Sequence, residues 1–299
     1  MIRALVLGRR RKGRKIGAAI RETARLLEAA GWEVEHELVV HKRELRREAK
    51  RAVADGLEVV VVVGGDGAVM QVVGVLSETD VALGIVPKGT GNLLAGNLGL
   101  PHRLDRAVDV LVRGRRRRID VGRIKIDGKE LDFAVACGIG FDARVMDATG
   151  TSQKSRWGKL AYLANAVREA RHLRNVKHEI TIDGVTTTTK AAQVFIANLG
   201  RIGGPLQPRL KVFGDDGLLD VMVVRASGPL PGLLVGWEAL RQRDLGKSGP
   251  GHVLRAKARE VRVATSPPRL VEIDGSVVGK TPITVTIRPS ALTVIEPAS

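Results

Sequence analysis

The apolar positions change their rhythm partway along the chain. In the first 120 residues they alternate between short runs and helical faces. Arg3–Leu7 is a short apolar strand. Ile16, Ile20, Ala24 and Leu27 recur at helical spacing through Ile16–Ala30, and Gly31 ends that helix. Glu33–Val40 reads as a strand and Arg43–Ala54 as a basic helix. Val59–Val63 is entirely β-branched, as expected for a parallel strand buried on both faces. Helix Val69–Leu76, strand Ala82–Val86, and helices Asn92–Leu98 and Leu104–Arg113 follow. This succession predicts a doubly wound, mostly parallel α/β sheet with helices on both faces.

From about residue 120 the strand signals dominate. Asp120–Ile126 and Leu131–Cys137 flank Asp127-Gly128, a hairpin turn signal. Asp183-Gly184, after Glu179–Ile182, and Asp274-Gly275, after Leu270–Ile273, are two more. Further strands are expected at Gln193–Ala197, Leu219–Val224, Glu260–Ala264, Thr284–Ile287 and Thr293–Ile295, with one helix near Trp157–Leu173 and a loop at Pro229–Gly232. The expected organisation is an α/β nucleotide-binding domain over 1–120 and a β-rich antiparallel sandwich over 121–299. The last strands are expected to have the option of packing back on the first domain. The cleft between the domains is the default ligand site.

Composition narrows the class. The chain has 299 residues, 44% hydrophobic and 27% charged, which is a folded composition long enough for two cores. Aromatics reach only 3%, so aliphatic side chains must build those cores. The net charge of +17 favours anionic partners such as nucleotides or an anionic membrane surface. No zinc spacing, homeodomain-like helix or aromatic platform points to specific nucleic-acid recognition. The single cysteine, Cys137, lies in an apolar run and reads as a buried small residue. No stretch of 18 apolar residues and no signal-peptide core is present, so a cytoplasmic protein with peripheral membrane contact is expected.

The chemistry concentrates in two glycine turns. Gly64-Gly65-Asp66-Gly67 directly follows the valine strand, and its glycines bare backbone N–H groups toward a phosphate. Asp66 faces a phosphate only through a cation, so its expected partner is Mg²⁺ carried by a nucleotide. The second turn, Lys88-Gly89-Thr90-Gly91-Asn92, joins another strand to a helix start, where free N–H groups suit an anion. Thr90 and Asn92 are candidates for bonds to phosphate or ribose, and Lys88 for added charge. Neither turn has Walker A spacing. Asp215, Asp216 and Asp220 around Gly217 form a third candidate set, of oxygen ligands for a hard cation.

Together these segments resemble the diacylglycerol kinase catalytic-domain superfamily, which includes bacterial soluble lipid kinases and sphingosine kinases. Val59–Gly67 is similar to its nucleotide-binding signature. Ile85–Asn92 followed by Leu98-Gly99 is similar to its second. Gly138–Ala143, Ile202–Pro205 with Pro208, Asp215–Val221 and Asp274-Gly275 follow in the family's order. The resemblance implies ATP- and Mg²⁺-dependent phosphoryl transfer to a lipid hydroxyl, of diacylglycerol or a related lipid. It implies Gly64, Gly65, Gly67, Gly89, Thr90, Gly91 and Asn92 around the nucleotide and Asp66 at Mg²⁺. It further implies Asp274 as the general base, and Asp216 and Asp220 beside a structural Mg²⁺. Four positions depart from the family pattern: Ala68 for Thr, Gln71 for Glu, Ser276 for Glu after Asp-Gly, and Leu93 for Asp. The basic loop Gly8–Gly13 also replaces the usual Asn-Pro loop. These departures keep a catalytically weak lipid- or nucleotide-binding protein as the alternative. NAD kinase is the enzymatic rival, although its Asn-x-Gly-x-Leu-Gly-Phe-like segment is not found. A homodimer stays open.

Overall fold

The computed structural model describes residues 1–11, 15–140, 175–200, 214–225 and 253–298. The expected helix at Trp157–Leu173, the segment Ile202–Pro208 and the loop Pro229–Gly232 lie outside them.

The N-terminal lobe runs β1 (Arg3–Arg9), α1 (Ile16–Ala29), β2 (Glu33–Val39), α2 (Lys42–Ala54), β3 (Val59–Gly64), α3 (Asp66–Leu76), β4 (Ala82–Pro87), α4 (Leu93–Asn97) and α5 (Leu104–Arg113). Its strands pair in parallel in the order β2-β1-β3-β4. The valines of β3 show why the sheet is covered twice, because successive side chains leave opposite faces. Val60 and Val62 pack with Leu45, Val69, Val72 and Val73 of α2 and α3. Val59, Val61 and Val63 pack with Ile16, Ile20 and Leu111 of α1 and α5.

The C-terminal lobe is built from β5 (Arg115–Ile126), β6 (Lys129–Phe133), β7 (Ala136–Ile139), β8 (Val176–Ile182), β9 (Val185–Ala191), β10 (Gln193–Ala197), β11 (Leu219–Val224), β12 (Val253–Ala258), β13 (Glu260–Ser266), β14 (Leu270–Ile273), β15 (Ser276–Lys280) and β16 (Ile283–Glu296). One antiparallel sheet has the order β12-β11-β10-β7-β14-β15. The facing strands β16-β13-β8-β9 continue the N-terminal sheet, because β16 pairs in parallel with β4 at Val294 and Leu83. Ile124, Phe133, Ile139, Ile196, Val261 and Val285 lie in the core between the sheets, which together form an antiparallel sandwich. All three Asp-Gly pairs are hairpin turns in which both residues have positive φ, at 48°, 45° and 46° for Asp127, Asp183 and Asp274.

Three local differences from the sequence reading have physical causes. Leu131–Cys137 is not one strand. It breaks at Ala134-Val135, so that β6 joins one sheet and β7 the other. Thr284–Ile287 and Thr293–Ile295 are two halves of β16, whose register shifts between Arg288 and Leu292. Periodicity sees such an irregularity as a gap. The basic run Arg115–Arg118 opens β5, which therefore crosses residue 120 without a break. Each arginine of that run meets an acidic partner: Arg115 and Arg117 at Glu296, Arg116 at Glu58, Arg118 at Asp80.

Candidate active site

β3 and β4 are neighbours in register through Gly64 and Pro87, so their two turns leave the sheet side by side. Lys88 N–H donates to Gly64 O at 2.7 Å. A Cβ placed on Gly65 would lie 2.6 Å from Gly89 Cα, so the turns touch backbone to backbone. Asp66 opens α3, and its carboxylate reaches across to the other turn. It accepts the N–H groups of Asn92 (2.8 Å) and Leu93. Asn92 adopts the left-handed conformation at φ 48° and ψ 50°. Its Oδ1 accepts Gly89 N–H at 2.8 Å, and its Nδ2 donates to Gly89 O at 3.2 Å. The amide considered for phosphate or ribose thus closes its own turn. Among the predicted nucleotide residues Gly64, Gly65, Asp66, Gly67, Gly89, Gly91 and Asn92, the structure brings every one into this paired turn. Ala68, where the family pattern has Thr, packs its methyl against the apolar core under α3.

Asp274 comes from the other lobe and is 6% exposed. Its Oδ2 accepts Ala134 N–H at 2.8 Å, and its Oδ1 accepts Val135 and Ala136 N–H at 3.0 and 2.8 Å. These donors are the strand break between β6 and β7. Burial pushes the carboxyl up to about 6; the three N–H bonds oppose this, and the negative charge of Asp66 adds to it. Ala134 and Val135, which hold Asp274, pack in the same apolar cluster as Leu94, Ala68 and Leu93 beside the paired turns, so Asp66 and Asp274 come toward one another from separate lobes.

Sequence reasoning missed Glu272. Burial and then the charge of Asp274 push its carboxyl up to about 7. The available signal was an acidic residue in the otherwise apolar strand Leu270–Ile273. The sign of its pH effect follows from a folded pKa above the unfolded carboxyl value near 4. The stability of the neutral form is complete below about pH 4 and is lost as the pH rises through about 7. Glu272→Gln is therefore expected to gain stability on the wild type between those values, measured as the difference in urea midpoint across pH. A constant difference contradicts it.

Asp120 and Asn198 were also missed. Asp120 is 1% exposed and accepts Gly217 N–H and Ser290 N–H at 2.8 and 2.7 Å. Asn198 donates through Nδ2 to the carbonyls of Asp120 and Ala134, which holds the broken strand in place. Neither stood out in the sequence, because their partners lie far away along the chain.

Beside the paired turns lies a cavity of about 320 Å³ between the lobes, lined by Lys42, Arg46, Gly67, Gln71, Arg123 and Ser276 among others. Lys42 Nζ lies 3.9 Å from a Cβ built on Gly67. Gln71 and Ser276, both neutral where the family pattern is acidic, face this space together. Arg123 pairs with Asp132 through two bonds of 2.6 and 3.0 Å, and the Asp132 side chain is 5% exposed. Arg123→Met leaves that carboxylate buried and unanswered and is expected to cost about 2 kcal/mol in urea unfolding. Substituting both members together should recover much of the loss.

The acidic loop meets two protein cations. Asp215 pairs with Arg117 at 2.8 Å, and Asp216 pairs with Lys257. Asp220 faces Lys257 across the β11–β12 register, and burial raises its carboxyl pKa. Among the described residues no group of three or more His, Cys, Asp or Glu side chains gathers to hold a metal. Asp215 and Asp216 thus face protein cations, while Asp220 Oδ2 is buried with no hydrogen-bond partner among the described residues. No described contact joins Asp216 or Asp220 to Asp66.

The fold and the paired turns define a two-lobed protein with a glycine-lined crevice at the carboxyl ends of parallel strands, faced by a buried carboxylate from a β-sandwich. Comparison with known families agrees. Residues 3–124 match the diacylglycerol kinase catalytic domain, and residues 135–296 match the YegS C-terminal NAD kinase beta sandwich-like domain. The chain belongs to the diacylglycerol kinase/YegS lipid-kinase superfamily. It is 28% identical over 264 residues to an uncharacterized protein of Synechocystis, covering 85% of this chain and 58% of that protein. It is 36% identical over 182 residues to a diacylglycerol kinase of Mycobacterium tuberculosis, covering 58% of this chain and 57% of that enzyme. The chain thus aligns with little more than half the length of each of these two relatives. A Bacillus subtilis diacylglycerol kinase matches at 26% over 94% of this chain and 92% of its own. A crystal structure of a diacylglycerol kinase from Bacillus anthracis shares the fold, with a TM-score of 0.74 at 20% identity over 99% of this chain and 96% of that one.

Proposed function

We propose that the chain transfers the terminal phosphoryl group of ATP, as its magnesium complex, to the hydroxyl of a lipid such as diacylglycerol. The observation that carries this reading is the approach of Asp66 and Asp274 from separate lobes, next to two glycine turns that expose backbone at a helix start. The N–H groups around Gly65 and Gly67 face the phosphates, with Lys88, Thr90 and Gly91 supplying the second turn. Asp66 lies toward the metal, because its two accepted N–H bonds leave oxygen lone pairs open. The magnesium ion, when bound with the nucleotide, neutralises phosphate oxygens. Asp274 Oδ2 accepts one N–H bond, which leaves it a lone pair for the proton of the lipid hydroxyl. A carboxyl near 6 is ionised at neutral pH, as a base must be.

Access to lipid fits the surface. Lys42, Arg43, Arg46 and Lys50 are exposed along α2, whose first turn lies at the carboxyl end of the N-terminal sheet. They suit peripheral contact with an anionic bilayer. Among the described residues no helix is long and apolar enough to cross a membrane. The test is labelling of a total lipid extract with radiolabelled ATP and Mg²⁺, with NAD as a parallel acceptor. A labelled lipid that disappears on Asp66→Ala supports the reading. Labelled NAD instead moves the activity to the nucleotide kinases. ATP binding without any labelled product favours the binding-protein alternative, which the neutral Ala68, Gln71 and Ser276 recommend.

A further inference from the structure

We propose that the acceptor lipid carries a hydrogen-bond donor, a hydroxyl or an ammonium, next to the hydroxyl that is phosphorylated, and that Glu272 receives it. This rests on the lipid-kinase reading above and narrows its substrate class. The argument starts from strand alternation. Val271 and Ile273 point into the sandwich core with their register partners Ile139 and Cys137. Glu272 and its partner Gly138 therefore face the other side of the six-stranded sheet. Gly138 presents no side chain, and the next residues in that row, Phe195 and Met222, are apolar. Glu272 is half-buried on this face. No described residue gives it a hydrogen bond or an ion pair.

A half-buried carboxyl without a donor is costly to the fold, and a bound ligand can supply the missing bond. The position says which ligand. Glu272 pairs with Gly138, and two positions on Asp274 N–H donates to Ala136 O at 3.0 Å, so the two carboxyls follow one another along the same strand edge. Ala134 and Val135, which hold Asp274, pack with Leu94 beside the glycine turns, which puts Asp274 between those turns and Glu272. In the transfer the acceptor oxygen bonds to the terminal phosphorus, the bond to the bridging oxygen breaks, and the proton goes to Asp274. Glu272 takes no part in that exchange. It holds the neighbouring group of the acceptor. Diacylglycerol offers only ester oxygens beside its free hydroxyl, and these meet a carboxylate unfavourably. A monoacylglycerol or a sphingoid base offers a donor.

The experiment uses the full chain in mixed micelles with 1-octanoylglycerol, sphingosine and 1,2-dioctanoylglycerol, each measured for binding and for label transfer from ATP. A donor-bearing acceptor is expected to exceed diacylglycerol by about tenfold in kcat/KM and in affinity. Glu272→Leu should bring that ratio close to one, and Glu272→Gln should retain part of it. A ratio taken within one preparation is independent of how much of a variant is folded. Preference for the glyceride or for the sphingoid base separates a hydroxyl from an ammonium. Diacylglycerol turnover with no preference, or a ratio unmoved in Glu272→Leu, overturns the inference and leaves the kinase reading standing. Preferential binding that depends on Glu272 without any label transfer does the reverse. If no acceptor binds or is labelled, both are wrong.

Discussion

Asp274→Asn is expected to reduce phosphoryl transfer to lipid by about 10³-fold in kcat, the range of a lost general base. The amide cannot take the proton of the acceptor hydroxyl. The change is also unfavourable in the folded protein. The three N–H donors of Ala134, Val135 and Ala136 point at a carboxylate, and a carboxamide meets at least one of them with its own NH₂. A loss of stability should therefore accompany the loss of rate, and the two are separable. Residual activity per folded molecule is read after a urea titration has set the folded fraction, and ATP affinity is measured on the same sample. Asp274 lies on the far lobe from the glycine turns, so affinity should stay within a few-fold of wild type. The wild-type rate should also fall as the pH drops through about 6, where the buried carboxyl takes up its proton. A rate loss below tenfold per folded molecule would make Asp274 an anchor for the strand break and nothing more.

Gly65→Ala is expected to cost about 3 kcal/mol in urea unfolding and to weaken ATP binding by at least about 30-fold, because overpacking here cannot relax cheaply. The added methyl would lie 2.6 Å from Gly89 Cα and 3.3 Å from Gly89 N. Both are backbone atoms, so no rotamer change relieves the contact. The turns must separate, and the bonds from Asn92 and Leu93 N–H to Asp66 span that gap. The variant thus strikes both glycine turns and the Asp66 carboxylate together. Calorimetric titration with ATP and Mg²⁺ on a sample shown to be folded is the measurement. Wild-type affinity in Gly65→Ala would mean that the nucleotide does not use the paired turns.

Much of this site was legible because its signals are local. Val59–Gly67 is a buried strand followed by a glycine-rich turn, a pattern that belongs to a few consecutive residues, although the close approach that demands glycine at Gly65 comes from Gly89 on the other turn. The three Asp-Gly turns are legible for the same reason, since a two-residue hairpin loop requires positive φ at both positions. Glu272 was not legible. An isolated glutamate in a strand acquires meaning only from the buried face it occupies and from Asp274 beside it. The basic run at Arg115–Arg118 adds to the positive charge of the chain, yet its acidic partners include Glu296, some 180 positions away.

The amino-acid sequence by itself determined the two lobes' element types, the two glycine turns and the identity of the carboxylates Asp66 and Asp274, because period, turn chemistry and side-chain charge are written residue by residue. The tertiary structure alone decided that these carboxylates approach each other. It also decided that β16 joins the parallel strands to one face of the sandwich, that a strand breaks to bind Asp274, and that Lys257 and Arg117 answer Asp216 and Asp215. Each of those outcomes depends on which distant backbone or charge is closest once the chain is packed, a distance that no local pattern encodes.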